Sequence, residues 1–153
     1  MRYVFLLILQ LTVFIGYAQL KGKVVAVSDG DTFTLLTADK KQVKIRLHGI
    51  DAPEHGQDYA TAAQDFLGDL VFGEEVYVEE KNKDHYGRTI GMVWLQKKNI
   101  NEELLKAGFA WHYKEYDKST AWSLLEQEAR KTKKGLWTKS NPTAPWSWRK
   151  SKK

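Results

Sequence analysis

The stretch from Val27 to Leu36 reads VSDGDTFTLL, with two acids, Asp29 and Asp31, on either side of one glycine. The residues before and after these acids are mostly apolar or β-branched, which is typical of strands bounded by a turn. Asp-Gly favours a two-residue hairpin loop, because glycine adopts a positive φ at little cost. The stretch therefore predicts a β-hairpin, and the turn alone is enough to explain both acids unless other segments bring further acids beside them.

More strands and one helix surround this hairpin. KGKVVAV and DTFTLLT form its two arms, and QVKIRLH predicts a third strand with Val43, Ile45 and Leu47 on one face. A helix over DYATAAQDFLGDLVFG then precedes two more strands, EVYVEE and RTIGMVWL. The last of these is apolar on both faces, as expected for a strand enclosed in a small barrel. The pattern predicts an α+β fold that is mainly β.

Two helices are expected after the strands. Asn99 or Asn101 can cap a short helix over EELLKAG, and Ser119 or Thr120 can start a longer one. Gly135 is expected to end that second helix. The remaining stretch, LWTKSNPTAPWSWRKSKK, contains two prolines and three tryptophans, which predicts a loop that packs by its aromatic rings.

The composition restricts the possible functions. A chain of 153 residues is long enough for one well-packed domain, and the absence of cysteine excludes disulfides, thiolate catalysis and zinc-thiolate sites. From Arg130 to Lys153 there are nine lysines and arginines and no acid. Such a stretch attracts polyanions such as nucleic acid or an anionic membrane, although a solvated helix face explains it equally well.

The first residues indicate export. Arg2 precedes an apolar run that ends in Gly16 and Ala18, as in a secretory signal peptide, and an uncleaved membrane anchor is the alternative. We expect a signal peptide at residues 1–18, one folded domain at residues 19–139 and a basic tail with prolines and tryptophans at residues 140–153. Cleavage lowers the formal net charge from +5 to +4.

A second group of acids follows the third strand, in IRLHGIDAPEH. Pro53 forces Ala52 into an extended conformation and so fixes the directions of Asp51 and Glu54. Alone, this segment is a loop that closes a strand and opens a helix. Two acidic turns at the ends of neighbouring strands, however, suit a hard divalent cation, which takes oxygen ligands from several segments. An EF-hand is excluded, because Thr34 stands where its invariant glycine is required.

A third segment, KDHYGRTIG, places Tyr86 and Arg88 before the fifth strand, with Gly87 between them. An arginine in such a place usually forms a surface ion pair, but it can also hold an anion. A zinc site is not favoured, because the four histidines are dispersed without helical metal spacing: His48, His55, His85 and His112.

Taken together, DGDT, IRLHGIDAPE and DHYGR, followed by NEELLKAGFAWHY and GLW, closely resemble the staphylococcal-nuclease-like (thermonuclease) family over residues 21–137. The resemblance implies a five-stranded OB-fold-type barrel with about three accessory helices. It also implies calcium-dependent endonuclease activity that hydrolyses DNA and RNA to 3′-phosphate products with little sequence specificity.

The same resemblance assigns the metal and the attacking water. Asp31 and Asp51 would hold Ca²⁺ through their carboxylates, and the backbone carbonyl of Ala52 would be a further ligand. The family often has threonine at the position of Ala52, but a carbonyl ligand survives that change. Glu54 would orient or deprotonate the water.

Arginines and aromatic residues complete the implied site. Arg46 and Arg88 would clamp the scissile phosphate, since a planar guanidinium makes bidentate contacts and stays charged. Which tyrosine stacks on a base is left open. The residues expected to bind substrate are His85, Tyr86, Tyr113 and Tyr116.

The resemblance leads to the expectation of a secreted or periplasmic, monomeric nuclease acting on single-stranded or flexible DNA and RNA. No stable membrane association is expected after signal cleavage. Two alternatives remain: a catalytically weak nucleic-acid-binding module on the same barrel, and a membrane-surface or polyanion-binding protein that uses the basic tail.

Overall fold

The computed structural model describes residues 19–152, so the predicted signal peptide lies outside the described residues. The strands are β1 (Gln19–Asp29), β2 (Thr32–Thr37), β3 (Gln42–Leu47), β4 (Ile50–Asp51), β5 (Glu75–Lys83), β6 (Thr89–Leu95), β7 (Lys98–Asn99) and β8 (Trp111–His112). The helices are α1 (Ala60–Val71), α2 (Ile100–Ala107), α3 (Thr120–Lys131) and α4 (Pro145–Ser151), with a 3₁₀ turn at Gly135–Thr138. Across residues 19–152, no helix has the length and apolar character needed to span a bilayer.

Five of the strands close into a barrel. β1 pairs antiparallel with both β2 and β5, and β2 pairs antiparallel with β3. β6 pairs antiparallel with β5 and parallel with β3, which joins the two ends of the sheet. This ring confirms the expected five-stranded OB-type barrel and leaves no free edge between β3 and β6.

The barrel interior holds the apolar positions that the sequence pattern indicates. Ile45 and Leu47 on β3 are buried, and Val43 on the same face is partly buried. Helix α1 presents Ala63, Leu67 and Val71 to the barrel at helical spacing. The core therefore lies between the barrel and its helices, while the chain ends of β1, β3 and β4 meet at one side.

The predicted hairpin is present, but the reason for its glycine is different from the one expected. Gly30 and Asp31 form the loop between β1 and β2, and Gly30 does not adopt a positive φ. A Cβ atom at Gly30 would instead lie 2.6 Å from the Cβ of Ala63 and 2.8 Å from that of Ala52. The glycine is required because the hairpin packs tightly against α1 and the segment after β4, so the expectation of a positive φ was wrong.

The helix caps decide between the alternatives that the sequence left open. The side chain of Asn99 accepts a hydrogen bond from the N–H of Glu102 at 3.3 Å and caps α2. Ser119 caps α3 by accepting from the N–H of Trp122 at 3.2 Å. Gly135 does not end α3 directly, because Thr132 is its C-cap and the glycine begins the 3₁₀ turn.

The C-terminal stretch is not the loop that was expected. Residues 145–151 form helix α4, and Pro145 occupies its first turn, where a missing N–H costs no hydrogen bond. Residues 19–152 thus contain four α-helices, where about three were expected. This helix brings the end of the chain back to the acids after β3 and β4.

Candidate active site

The two acidic turns meet in the structure. Asp31 is buried in the β1–β2 loop, and its Oδ2 accepts a hydrogen bond from the backbone N–H of Ala52 at 2.8 Å. Its Oδ1 accepts from the hydroxyl of Thr32 at 3.1 Å. Asp31 is therefore tied directly to the segment that carries the second pair of acids.

Arg46 lies between the two aspartates. It sits on β3, opposite Thr32 of β2 and Ile90 of β6. Its guanidinium contacts Asp31 and donates to Asp51 Oδ1 at 2.7 Å. Burial lowers the pKa of Arg46, but the two carboxylates outweigh that effect and hold the pKa above its ordinary value. Arg46 is thus a fixed positive charge within an acidic cluster.

Asp51 is the most enclosed of the acids, with a side chain only 1% exposed. Burial raises the pKa of Asp51, and the neighbouring guanidiniums of Arg149 and Arg46 offset only part of that rise. Burial makes the ionised form of Asp51 less favourable, and groups perturbed in this way are often found at functional sites.

Glu54 reaches the same cluster through an arginine that lies 95 residues later in the chain. Arg149 Nη2 donates to Asp51 Oδ2 at 2.9 Å, and Nη1 contacts Glu54. Burial lowers the pKa of Arg149, but the carboxylates of Asp51 and Glu54 raise it by more, so the pKa lies above its ordinary value. The guanidinium of Arg149 bridges the predicted metal ligand and the predicted water-activating acid.

Asp29 lies behind this cluster. Its Oδ1 accepts a hydrogen bond from the backbone N–H of Asp31 at 3.2 Å. Burial and the adjacent charge of Asp31 raise the pKa of Asp29 to about 7. Asp29 therefore stabilises the β1–β2 loop.

Arg88 is paired with Asp84 in the turn between β5 and β6. Its Nε donates to Asp84 Oδ2 at 2.7 Å, and its backbone N–H donates to Asp84 Oδ1 at 2.9 Å. Its guanidinium lies 5.5 Å from the ring centre of Tyr86, which is exposed and also contacts His85. The register brings the start of β6 beside Arg46, but the side chain of Arg88 is paired with Asp84 rather than with the acids of the cluster.

Of the two candidate tyrosines after α2, Tyr113 lies beside the acids. β8 pairs with β4, and the N–H of Tyr113 donates to the carbonyl of Gly49 at 2.8 Å. The ring of Trp146 stacks on Tyr113, with ring centres 5.0 Å apart and an interplanar angle of 15°. Tyr116 contacts the edge of Tyr113 and is otherwise exposed.

The donor set fits a hard divalent cation in its chemistry. Asp31, Asp51 and Glu54 carry three negative charges when ionised, against two positive charges from Arg46 and Arg149. Within residues 19–152, no three histidine or acidic side chains already surround a common metal position. The acids would have to release arginine contacts to bind a cation, but carboxylate and carbonyl oxygens are the ligands that calcium takes.

A Ser-His-Asp arrangement elsewhere in the chain is structural. His112 Nδ1 lies 3.0 Å from Ser123 Oγ, and its Nε2 lies 2.9 Å from Asp117 Oδ1. The histidine side chain is fully buried, so a substrate cannot reach its ring. The contacts join β8 to α3 and hold Tyr113 in place.

Sequence reasoning missed Arg149 and Trp146 as parts of this site. A signal was available in PWSWRK: Trp146 and Arg149 are three residues apart, so a helix starting at Pro145 would present both on one face. The sequence does not indicate, however, where that helix docks.

Comparisons with known proteins identify the family of this chain. The family model described as staphylococcal nuclease homologue matches residues 44–139, which include Arg46, Asp51, Glu54 and Arg88. A micrococcal nuclease of Shigella flexneri is 40% identical over 149 residues, covering 90% of this chain and 85% of that protein. A protein of Haemophilus influenzae named as an uncharacterized endonuclease is 42% identical over 131 residues, covering 86% of this chain and 74% of that protein.

A plant protein shares the domain within a longer chain. The staphylococcal-like nuclease CAN1 of Arabidopsis thaliana is 43% identical over 113 residues, covering 74% of this chain and 35% of that protein. The barrel, the cluster of acids around Arg46 and these similarities lead to one assignment. The chain belongs to the staphylococcal nuclease homologue family.

Proposed function

We propose that this protein is an exported, calcium-dependent endonuclease that hydrolyses DNA and RNA to 3′-phosphate products with little sequence specificity. Its membership of the family makes it a nuclease of the staphylococcal type. The observation that carries the proposal is the buried pair Asp31 and Asp51 around the guanidinium of Arg46. Acids and an arginine at one place suit both cation binding and phosphate binding.

The cleavage chemistry is assigned to the side chains of this cluster. Negative charge builds on the phosphoryl oxygens as water attacks, and Arg46 stabilises that charge from a fixed position. Glu54 accepts a proton from the attacking water or orients it, since its carboxylate is partly exposed beside the buried acids. Arg88 supplies a second guanidinium once it leaves Asp84 for the phosphate.

Asp31, Asp51 and the carbonyl of Ala52 would hold calcium. When bound, the ion supplies positive charge to the phosphoryl oxygens, as a Lewis acid does. The hydrogen bond from Ala52 to Asp31 supports this set, because it holds the two ligand-bearing segments together. The excess of acid over arginine in the cluster supports it as well.

The aromatic surface beside the acids is assigned to substrate binding. Tyr113 follows β8 directly and lies next to the cluster, so it is the tyrosine that we assign to base stacking. Stacking tolerates every base and favours single-stranded or flexible nucleic acid. The exposed residues His85, Tyr86 and Tyr116 are assigned to contacts with the strand beyond the scissile phosphate.

Export rests on the sequence of residues 1–18, which has the charge and apolar run of a signal peptide. Cleavage there would leave a basic domain that acts in the periplasm or outside the cell as a monomer. A chain without cysteine needs no disulfide in either place.

The proposal is tested with the mature chain, residues 19–153, on single-stranded DNA and RNA. Both should be cut in the presence of calcium and not after a chelator is added, and the products should accept enzymatic removal of a 3′-phosphate. Binding of both nucleic acids without cleavage would favour the alternative of a binding module. Products with 5′-phosphates would contradict the assigned chemistry.

A further inference from the structure

Helix α4 covers two parts of the candidate site at once. Arg149 contacts Asp51 and Glu54, and Trp146 stacks on Tyr113. Residues three apart lie on the same face of a helix, so both contacts are made by one face of α4. The helix therefore lies where a cation and a base are expected to bind.

Arg149 engages the oxygens that a metal ion would use. Its Nη2 lies 2.9 Å from Asp51 Oδ2 and its Nη1 lies 3.2 Å from Asp51 Oδ1, so both oxygens of that buried carboxylate are paired. Calcium brought to Asp51 would meet a positive charge at close range, where burial weakens solvent screening. Calcium and Arg149 therefore compete for Asp51.

Trp146 covers the ring of Tyr113 in the way that a nucleobase would. The two rings are nearly parallel, at 15°, with centres 5.0 Å apart. Trp146 also contacts Trp111 edge-on, with centres 5.5 Å apart. A base can stack on this face of Tyr113 only after the indole has moved.

We infer that the attachment of α4 is reversible. The helix has seven residues, and Pro145 is its one buried residue. A helix of this length is unstable in isolation, so its position depends on the contacts of its side chains. Loss of either the Arg149 or the Trp146 contact should release the other.

We propose that α4 blocks the nuclease site from within and thereby sets the calcium concentration that the enzyme needs. Arg149 competes with calcium for Asp51 and Glu54, and Trp146 competes with a nucleobase for Tyr113. This inference rests on the calcium site proposed above. Calcium and a nucleic acid strand together displace the helix, and binding at either place favours binding at the other. The free enzyme is thereby mostly closed, and either ligand shifts it towards the open state.

The size of the effect follows from the population of the open state. If about one molecule in ten is open, the apparent calcium affinity is about tenfold weaker than that of the open site. Variants that release α4 should then bind calcium up to about tenfold more tightly. The effect should appear without any substrate.

Calcium binding is measured by calorimetry on the mature chain and on three variants. Arg149→Ala removes the competing charge, and Trp146→Leu releases the helix without changing the charge. Lys150→Ala is the matched control, because it removes one positive charge from an exposed position of the same helix. Thermal unfolding of each variant establishes that folded proteins are compared.

The proposal predicts tighter calcium binding in both Arg149→Ala and Trp146→Leu, with Lys150→Ala equal to the original chain. Equal gains in Arg149→Ala and Lys150→Ala, with none in Trp146→Leu, would reduce the effect to net charge and overturn the proposal. Unchanged or weaker binding in Arg149→Ala would overturn it too, while leaving the calcium site intact. If none of the proteins binds calcium, the proposed calcium site fails, and this inference fails with it.

Discussion

The carboxylate of Asp31 accepts a hydrogen bond from the backbone N–H of Ala52 at 2.8 Å, across 21 residues of sequence. This contact brings one predicted calcium ligand beside the other two. Asp31→Asn retains an oxygen that can accept from Ala52 but loses the negative charge. We therefore expect its fold to persist and its calcium affinity to fall by at least about tenfold, measured by calorimetry, because calcium affinity depends on the number of charged ligands.

Asp39→Asn is the matched control for that experiment. Asp39 is an exposed acid in the next turn of the chain, where it pairs with Lys41. Its replacement removes the same charge away from the cluster and should leave calcium affinity unchanged. Equal effects of the two substitutions would remove Asp31 from the metal site.

Glu54→Gln should separate metal binding from chemistry. Glutamine keeps the size of the side chain and removes the charge that takes a proton from water, and loss of such a group typically costs about 10²–10⁴-fold in rate. Turnover at saturating calcium should fall in this range. Glu128→Gln, an exposed position on α3, should cleave at the original rate. Full turnover in Glu54→Gln would show that Glu54 has no role in catalysis and serves only the segment that leads into the helix.

Arg88→Lys tests the second guanidinium. An ammonium cannot reproduce a bidentate contact with phosphate, and removal of one such donor costs about 10²–10³-fold in rate. The loss should be the same for long DNA and for a dinucleotide, and it should persist at high salt. Undiminished cleavage by Arg88→Lys would show that Arg88 acts through its charge alone and not through a bidentate contact with the scissile phosphate.

Gly30→Ala should destabilise the fold. The added Cβ would lie 2.6 Å from the Cβ of Ala63, which has no flexible side chain to move aside. Overpacking of this kind costs about 1–3 kcal/mol, measured by denaturant unfolding. The control is Gly68→Ala on α1, where an added Cβ meets nothing within 4 Å and should stabilise the helix by about 0.5–1 kcal/mol. A neutral Gly30→Ala would show that the hairpin can move away from α1.

The barrel could be predicted from the sequence because its strands show local patterns of apolar and polar residues. Alternation along β3 and the apolar character of β6 on both faces indicate how these strands are buried. The hairpin at Gly30 was predicted correctly for a wrong reason. Gly30 is needed because Ala63 and Ala52 pack against it. A contact between segments so far apart in the sequence cannot be read from the residues around the glycine.

The two acidic turns could be predicted because Asp31 and Asp51 each come shortly after a strand, β1 and β3. The role of Arg46 beside them was implied only by the resemblance to the family. The role of α4 could not be predicted. Its contact with Asp51 spans 98 residues, and the docking of a seven-residue helix depends on where the preceding loop leads it. The proline and tryptophans of this segment favour a loop as readily as a helix.

The central claim is that Asp31 and Asp51 hold the calcium that cleavage requires. It is tested most directly by measuring cleavage of single-stranded DNA against free calcium, beside calcium binding, in the mature chain and in Asp51→Asn. Asparagine keeps the size of the side chain and an oxygen that can accept a hydrogen bond from Arg46. We predict that cleavage rises in step with calcium occupancy in the mature chain, and that Asp51→Asn loses both while it remains folded. Undiminished cleavage in a chelator, or by Asp51→Asn, would contradict the account.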